Sequence, residues 1–346
     1  MSHMLDEIRQ QPEVIRTLVA AERENVANLA RELRRRKVAL GVMAARGTSD
    51  HAATFGKYIF EIVNSLPVAL AAPSVFTLYS SEIRLEGAFV VGISQSGQAA
   101  DVIEYLERAK ELGALTACIT NESASPLAKA ADFTLLCHAG AERSVAATKT
   151  YTATLAALFL LSVTVAGRAD LVDGLLAAAD QMEKTIESCE EEIARRADRY
   201  RYMDDCIVLA RGINRATAFE AALKLEETCY VAAEPFSTAD FLHGPIAVVR
   251  EGTPCILFAP EGPTYRPMLD MAGRLLSKHA EMVVVSDSEE ILSLAVTPFR
   301  IPVHVDDILS PIVYIAIGQL FAYYLALTKG LDPDNPRGLS KVTITR

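Results

Sequence analysis

The sequence repeats its apolar segments at a fixed spacing of 165 residues. Three short segments of the first half recur at this spacing in the second half. The pairs are VALGVMAARG, which ends at Gly47, with CIVLARG, which ends at Gly212; FVVGI (89–93) with PCILF (254–258); and ACIT (117–120) with MVVV (282–285). Since chance similarity rarely gives three matches at one spacing, the sequence predicts a duplicated fold.

Each copy alternates short apolar segments with helical patterns. Such segments suit strands that are buried on both faces, so we predict an α/β fold in which helices cover a parallel sheet. After Gly97, for example, apolar residues recur at helical spacing: Val102, Ile103, Leu106, Ala109 and Leu112. The predicted organisation is an N-terminal helical arm (1–35), a first domain (36–168), a linker helix (169–199), a second domain (200–330) and an extended C-terminal tail (331–346).

Composition excludes several classes of protein. The chain has 346 residues, 51% of them hydrophobic, which rules out a disordered or fibrous protein. Its net charge of −10 argues against nucleic-acid binding, which needs a clustered basic face. The longest apolar runs, 155–166 and 312–327, fall short of the roughly 20 residues of a membrane span, so we interpret them as buried helices.

The six cysteines do not form a recognisable motif. No two are at CxxC spacing, and most lie inside apolar segments. We therefore expect buried free thiols and a cytoplasmic protein, without a zinc or redox motif. The sequence also shows no nucleotide-binding loop or metal cluster, so we expect no cofactor and no metal.

A loop in the first copy has the chemistry to bind a phosphate. Ser94, Gln95, Ser96 and Gly97 follow the second of the repeated segments and precede a predicted helix. Hydroxyls, unpaired N–H groups at the helix start and a glycine that admits close approach together suit an anion. The alternative is an ordinary helix cap. The second-copy counterpart, 259–264, lacks paired hydroxyls and carries Glu261, so we expect only the first copy to bind phosphate.

A second loop, Gly47-Thr48-Ser49, follows the first repeated segment. Loops at the carboxyl ends of parallel strands line the ligand crevice of α/β folds, so these residues are candidates to contact a sugar or its phosphate. The alternative is helix capping by Ser49 or Asp50.

The second copy carries a charged helix face. The segment 215–231 predicts a helix with Glu220, Lys224 and Glu227 on one face and apolar residues on the other. By itself this face is typical of a solvated surface with an i, i+4 ion pair. His243, before Gly244-Pro245, is either a loop histidine or a proton-transfer group. Lys341, taken alone, is an ordinary surface lysine.

Together these residues resemble the sugar isomerase (SIS) family. The resemblance is greatest to the isomerase half of glucosamine-6-phosphate synthases and to the related stand-alone amino-sugar-phosphate deaminases. The matching motifs are RGTS (46–49), SQSGQAAD (94–101), ERSVAATKTYT (142–152), EAALKLEETCY (220–230), AEPF (233–236), LHGP (242–245) and NPRGLSKVTIT (335–345). The resemblance implies two tandem flavodoxin-like SIS domains in an obligate homodimer.

The resemblance also implies a role for each candidate residue. Ser94, Gln95 and Ser96 would hold the sugar phosphate. Glu227 would move a proton between C1 and C2, His243 from the neighbouring subunit would open the sugar ring, and Lys341 would close over the open-chain sugar. The remaining candidates would bind substrate or support the charges of the site: Gly47, Thr48, Ser49, the backbone around Val145, Glu220, Lys224 and Ser340.

The implied reaction converts glucosamine-6-phosphate and water to fructose-6-phosphate and ammonia. Alternatives are isomerisation or deglycation of another phosphosugar, such as galactosamine-6-phosphate or fructosamine-6-phosphate, and a non-catalytic sugar-phosphate sensor. Two departures from the synthase pattern stand out. Ala99 replaces a usual threonine hydroxyl, and no cysteine precedes Cys118, so we expect no glutaminase domain.

Overall fold

The computed structural model describes residues 2–81 and 83–341 of the chain. They fold into two compact units, and each unit takes in segments that are separate in sequence. The first-copy unit comprises 13–142, 149–176, Ser340 and Lys341, and the second-copy unit comprises 2–12, 143–148 and 177–339. These units differ from the predicted domain limits, most visibly because 143–148 belongs to the second-copy unit; the limits themselves stay a prediction.

The first-copy unit contains a five-stranded parallel sheet in the order β2-β1-β3-β4-β5. All five strands are short. They are β1 (Gly41–Ala44), β2 (Val68–Leu70), β3 (Phe89–Ile93), β4 (Leu115–Thr120) and β5 (Phe133–Leu136). Its helices are α2 (Thr48–Asn64), α3 (Ser74–Thr77), α4 (Ala100–Glu111), α5 (Pro126–Ala130) and α6 (Lys149–Val165).

The second-copy unit contains a sheet of the same topology. Its strands are β6 (Asp205–Ala210), β7 (Ala232–Ser237), β8 (Pro254–Phe258), β9 (Glu281–Ser286) and β10 (Thr297–Arg300), in the order β7-β6-β8-β9-β10. Its helices are α8 (Arg215–Cys229), α9 (Thr238–Leu242), α10 (Tyr265–Ser277), α11 (Glu289–Leu292) and α12 (Ser310–Thr328). Counted within each copy, both sheets run 2-1-3-4-5, the flavodoxin order, and the predicted tandem α/β fold is confirmed.

The spacing of 165 residues holds in the strand register, with one correction. Val42 pairs with Val90 in the first sheet, and Ile207 pairs with Cys255 in the second, each 165 residues further on. Helix α10 has 13 residues where α4 has 12, so the spacing becomes 166 at the next strand. Ala117 therefore corresponds to Val283, and its predicted pairing with Met282 is wrong by one residue.

Two long helices lie outside the two repeated copies in sequence: one precedes the first copy, and the other lies between the copies. Helix α1 (His3–Arg36) covers most of the predicted helical arm, and α7 (Ala169–Ala197) covers most of the predicted linker helix. From residue 331 to Lys341 the chain forms neither helix nor strand, and 342–346 of the predicted tail lie outside the described residues.

The two apolar runs are buried helices. Helix α6 is buried over almost its whole length, and so is α12. Within the described residues, α12 is the one helix long and apolar enough to cross a bilayer, yet 83% of its apolar window is buried in the protein. Gly318 allows α12 to approach α8 closely, because a Cβ there would lie 2.9 Å from the Cβ of Ala221.

All six cysteines are free and buried, as the sequence predicted. Burial raises the pKa of the Cys118 thiol to about 11 and that of Cys255 to about 12. These thiols are therefore protonated and unreactive at neutral pH.

Candidate functional site

The loop after β3 presents unused hydrogen-bonding groups at the start of α4. The hydroxyl of Ser94, a residue only 8% exposed, makes no hydrogen bond with any described residue. The backbone N–H of Gln98 donates to the Ser96 hydroxyl at 3.3 Å. Ala99 is the N-cap of α4, and no side chain caps the helix. The N-cap side chain therefore leaves the first-turn N–H groups of α4 unoccupied, although the Val102 N–H donates to the Asp101 carboxylate at 3.0 Å; this favours anion binding over the capping alternative.

Gly97 is required by the shape of this loop. Its φ of +62° lies in the left-handed region, and a Cβ there would lie 2.2 Å from the Ser125 hydroxyl oxygen. Ser125 is itself committed, since it caps α5 by accepting a hydrogen bond from the Ala128 N–H at 3.3 Å. No other residue fits between this loop and α5.

The Gly47-Thr48-Ser49 loop follows the neighbouring strand, β1. Gly47 is the N-cap of α2 with a φ of +53°, and its carbonyl accepts hydrogen bonds from the N–H groups of Asp50 and His51. No side chain caps α2, so capping by Ser49 or Asp50 does not occur. Thr48 and Ser49 are half-buried. Burial raises the pKa of Asp50.

An ion pair ties the two loops together. Arg46 Nε lies 2.7 Å from Oδ2 of Asp101, whose buried carboxylate sits in the first turn of α4. The sequence analysis did not single out this pair. The signal was present, because Arg46 belongs to the repeated Ala-Arg-Gly ending, and its counterpart Arg211 also bonds a neighbouring element, at the Ser237 hydroxyl.

Lys341 is anchored in the first-copy unit. Its Nζ lies 2.8 Å from Oε2 of Glu142, a carboxylate with a fully buried side chain. Glu142 also accepts hydrogen bonds from the N–H and hydroxyl of Thr150. Lys341 is thus not an ordinary surface lysine. Ser340, beside it, is exposed. Glu142 begins one of the recognised motifs, but its function as an anchor was not visible in the sequence.

The backbone around Val145 is held by a buried glutamate of α1. In the second-copy unit, the Glu7 carboxylate accepts hydrogen bonds from the N–H groups of Arg143 and Ser144. Val145 itself is half-buried. Glu7 therefore fixes the course of the chain just before Val145.

Helix α8 carries a buried cluster of charges. Lys224 Nζ lies 3.2 Å from Oε1 of Glu220 and 2.6 Å from Oε2 of Glu227. The side chains of Lys224 and Glu220 are 0% exposed, and that of Glu227 is 22% exposed. The solvated-face alternative is therefore wrong. Burial opposes the charge on Lys224, but the two carboxylates outweigh it and raise the Lys224 pKa.

This arrangement suits a carboxylate that exchanges protons. Glu227 is the only member of the cluster whose side chain reaches solvent. Its carboxylate forms an ion pair with the ammonium group of the buried Lys224. Such a carboxylate is fixed in orientation, as a general base requires.

His243 is an exposed residue at the end of α9. Its N–H donates to the Asp240 carbonyl at 3.1 Å, and Gly244 follows with a φ of +136°. In the described part of the chain, no hydrogen bond or ion pair links His243 or Val145 to the cluster on α8. The structure thus joins the charged residues of α8 to one another but, in its described part, not to these two residues.

Comparison with known proteins assigns the chain to a family. The sequence profile of the SIS domain matches residues 41–164 and 203–329, one match in each copy. The chain belongs to the SIS domain family. The two matches account for the 2-1-3-4-5 sheet of each copy, so the SIS resemblance noted in the sequence is confirmed.

Particular relatives share most of this SIS chain. The glutamine–fructose-6-phosphate aminotransferase (isomerizing) of Thermococcus kodakarensis is 34% identical over 98% of the chain, which spans only 57% of that relative. A Silicibacter pomeroyi structure provisionally assigned as a phosphosugar isomerase is 32% identical, with a TM-score of 0.83, 96% of this chain and 100% of that chain covered. The Thermotoga maritima glucosamine-6-phosphate deaminase structure is 22% identical, with a TM-score of 0.79, 99% of this chain and 100% of that chain covered.

Proposed function

We propose that the protein is a phosphosugar aldose–ketose isomerase that acts on a 2-amino sugar. The proposed reaction converts glucosamine-6-phosphate and water to fructose-6-phosphate and ammonia. SIS membership and the similarity to a fructose-6-phosphate aminotransferase support the general class. The fold is also shared with a glucosamine-6-phosphate deaminase.

The observation that carries the proposal is the charge cluster on α8. Burying Lys224 and Glu220 completely is costly, and a chain that needed only a stable helix could fill these positions with apolar side chains. The cluster instead leaves one carboxylate, Glu227, partly exposed and held by the ammonium of Lys224 at 2.6 Å. This geometry is typical of a catalytic base rather than of a structural ion pair.

In the proposed mechanism, Glu227 moves one proton. The carboxylate takes the proton from C2 of the open-chain aldose and returns it to C1, while the amine gives up one proton and the C1 carbonyl oxygen takes one up, which gives a ketose imine at C2. Water then adds to C2, the C–N bond breaks, and ammonia leaves with the ketose phosphate as the other product. We assign ring opening to His243 and closure over the open-chain sugar to Lys341, in line with the family resemblance.

We assign phosphate binding to the first copy. The unused Ser94 hydroxyl, the Ser96 hydroxyl, the Gln95 side chain and the uncapped N-terminus of α4 supply hydrogen-bond donors for a phosphate. Thr48, Ser49 and the backbone near Val145 are assigned to the sugar. Lys224 and Glu220 support Glu227, Gly47 shapes its loop, and Ser340 lies beside Lys341. We further propose that the protein works as a cytoplasmic homodimer.

The test is a panel of phosphosugars assayed for both ammonia and ketose. Glucosamine-6-phosphate should release ammonia and fructose-6-phosphate in equal amounts, whereas galactosamine-6-phosphate, fructosamine-6-phosphate and glucose-6-phosphate distinguish the alternatives. Glu227→Gln removes the base and should lower kcat by about 100-fold or more. Glu226→Gln, one residue away on the exposed face of α8, is the matched control and should retain full activity. Absence of ammonia release from glucosamine-6-phosphate, together with equal behaviour of the two variants, would contradict the proposal.

A further inference from the structure

Three potential metal ligands meet at the carboxyl ends of the second-copy strands. Glu261 follows β8, Asp287 follows β9, and His304 follows β10, and one ligand atom from each lies within 4.8 Å of the others. His304 Nδ1 is 2.8 Å from Oδ2 of Asp287 and 4.0 Å from Oε2 of Glu261. Three loops therefore converge on one small volume.

Among the described residues, no lysine or arginine neutralises the two carboxylates of this cluster. Within the described residues, neither Glu261 nor Asp287 forms an ion pair with a lysine or arginine; the ion-pair partner of both is the imidazole of His304. The Asp287 side chain is only 3% exposed, so water screens its charge poorly.

Hydrogen bonds fix the Asp287 carboxylate and leave one oxygen facing the cluster. Oδ1 accepts from the Tyr314 hydroxyl at 2.9 Å and from the Glu261 N–H at 2.8 Å. Oδ2 faces His304. Burial, together with the charge of Asp287, raises the Tyr314 pKa, so the hydroxyl remains a donor. Asp287 is thus oriented by neighbouring groups, as carboxylate ligands of metals are.

The duplication shows that all three positions have changed their chemistry. Glu261 corresponds to Ser96, Asp287 to Asn121 and His304 to Gly140, by the strand registers of the two sheets. In the first copy, the side-chain amide of Asn121 donates a hydrogen bond to the Gly140 carbonyl at 2.8 Å, so two of the three equivalent positions are in contact there as well. Neutral groups beside the first-copy anion loop are therefore replaced by two carboxylates and an imidazole.

We propose that Glu261, Asp287 and His304 bind a divalent transition-metal ion of the zinc class. One imidazole and two carboxylates are ligands that Zn²⁺ accepts, with water in the remaining position. The Nδ1 of His304 lies 2.8 Å from Oδ2 of Asp287 and 4.0 Å from Oε2 of Glu261, so small side-chain movements bring the three ligand atoms into a tetrahedral arrangement around one ion. The ion neutralises the two carboxylates and joins three loops, so it stabilises the second-copy unit. The equivalent position in the first copy is the loop to which we assign phosphate binding. The sequence showed no metal-ligand spacing because each ligand follows a different strand.

Zinc titration of the full chain tests this site without any activity measurement. The protein, treated with chelator and then dialysed, is titrated with ZnCl₂ by calorimetry, and its thermal unfolding is followed with and without Zn²⁺. We expect one ion per chain and a higher unfolding temperature, because a ligand of the folded state stabilises it. His304→Ala, an exposed position, should weaken binding at least ~10-fold, and Glu261→Gln should also weaken it.

His3→Ala is the matched control, since His3 is an exposed histidine of the same unit outside the cluster. It should bind Zn²⁺ as tightly as the unmodified protein. Equal affinities in His304→Ala and the unmodified protein would overturn the site, as would the absence of stoichiometric binding at millimolar Zn²⁺. Neither result would bear on the sugar chemistry proposed for α8 and the first copy.

Discussion

At the residue scale, equivalent positions in the two copies share a backbone but differ in chemistry. Gly97 and Gly262 both follow the third strand of their sheet, and both have a positive φ. Ser96 precedes the first glycine and Glu261 the second, so a hydroxyl has become a carboxylate. This difference of one side chain separates the loop proposed to bind phosphate from the loop proposed to bind a metal ion.

Substitution of Gly97 tests how closely the loop after β3 approaches α5. Gly97→Ala places a methyl group 2.2 Å from the Ser125 hydroxyl oxygen, so the loop must move. We expect a loss of stability of more than about 2 kcal/mol, and weaker binding of inorganic phosphate measured by calorimetry.

Gly87→Ala is the control for this substitution. Gly87 has a similar φ of +72°, but a Cβ there meets no atom within 4 Å. It should cost only the backbone strain of about 1–2 kcal/mol and leave phosphate binding unchanged. Equal phosphate affinity in both variants would show that the loop after β3 is not the phosphate site.

At the element scale, α8 is a helix that is buried on both its apolar and its charged face. The periodicity of 215–231 predicted the helix and its two faces correctly, and the observed helix ends at Cys229. It did not predict that the charged face is covered, because a pattern of three charges looks the same whether solvent or protein lies over it. Helix α12 packs against α8 through residues outside the charged face: Gly318 lies against Ala221, and the Cys229 thiol donates to the Ala322 carbonyl at 3.0 Å.

Removal of the central lysine tests the energetics of this helix. Lys224→Met leaves Glu220 and Glu227 without their cation, and we expect a loss of about 3–5 kcal/mol in the free energy of unfolding. Urea unfolding gives the value, and Lys184→Met, at an exposed position of α7, is the control. Similar stability of the two variants would contradict a stabilising role of the Lys224 ammonium between the two carboxylates.

The raised pKa of Lys224 predicts how the stability lost in Lys224→Met depends on pH. The folded pKa of Lys224 is raised, so its contribution to stability is complete below the unfolded value of about 10.4. The contribution declines as the pH rises from there through the higher folded pKa. The stability difference between the unmodified protein and Lys224→Met should therefore be constant from neutral pH to about pH 10 and shrink above it. A difference that already shrinks between pH 7 and 9 would contradict the raised pKa.

At the scale of the whole molecule, the proposed homodimer places His243 and Glu227 of one site on different subunits. Complementation between two inactive variants tests this arrangement. Glu227→Gln and His243→Ala should each be nearly inactive alone. Subunits mixed under exchange conditions should recover about a quarter of the unmodified activity, because half the dimers are mixed and each has one intact site. Each variant mixed with unmodified protein serves as the control for exchange, and no recovery in the mixture would place both residues on one subunit.

The sequence by itself determined the duplication, the sheet type and most candidate residues, because strands buried on both faces leave continuous apolar segments. It also located the two loops that follow β1 and β3. Burial and contact across the fold were decided only by the tertiary structure. The anchoring of Lys341 on Glu142, the Arg46–Asp101 pair and the convergence of Glu261, Asp287 and His304 each join groups from separate elements. Local periodicity carries no information on such contacts, since side chains far apart in sequence meet only when the sheet brings the ends of its strands together.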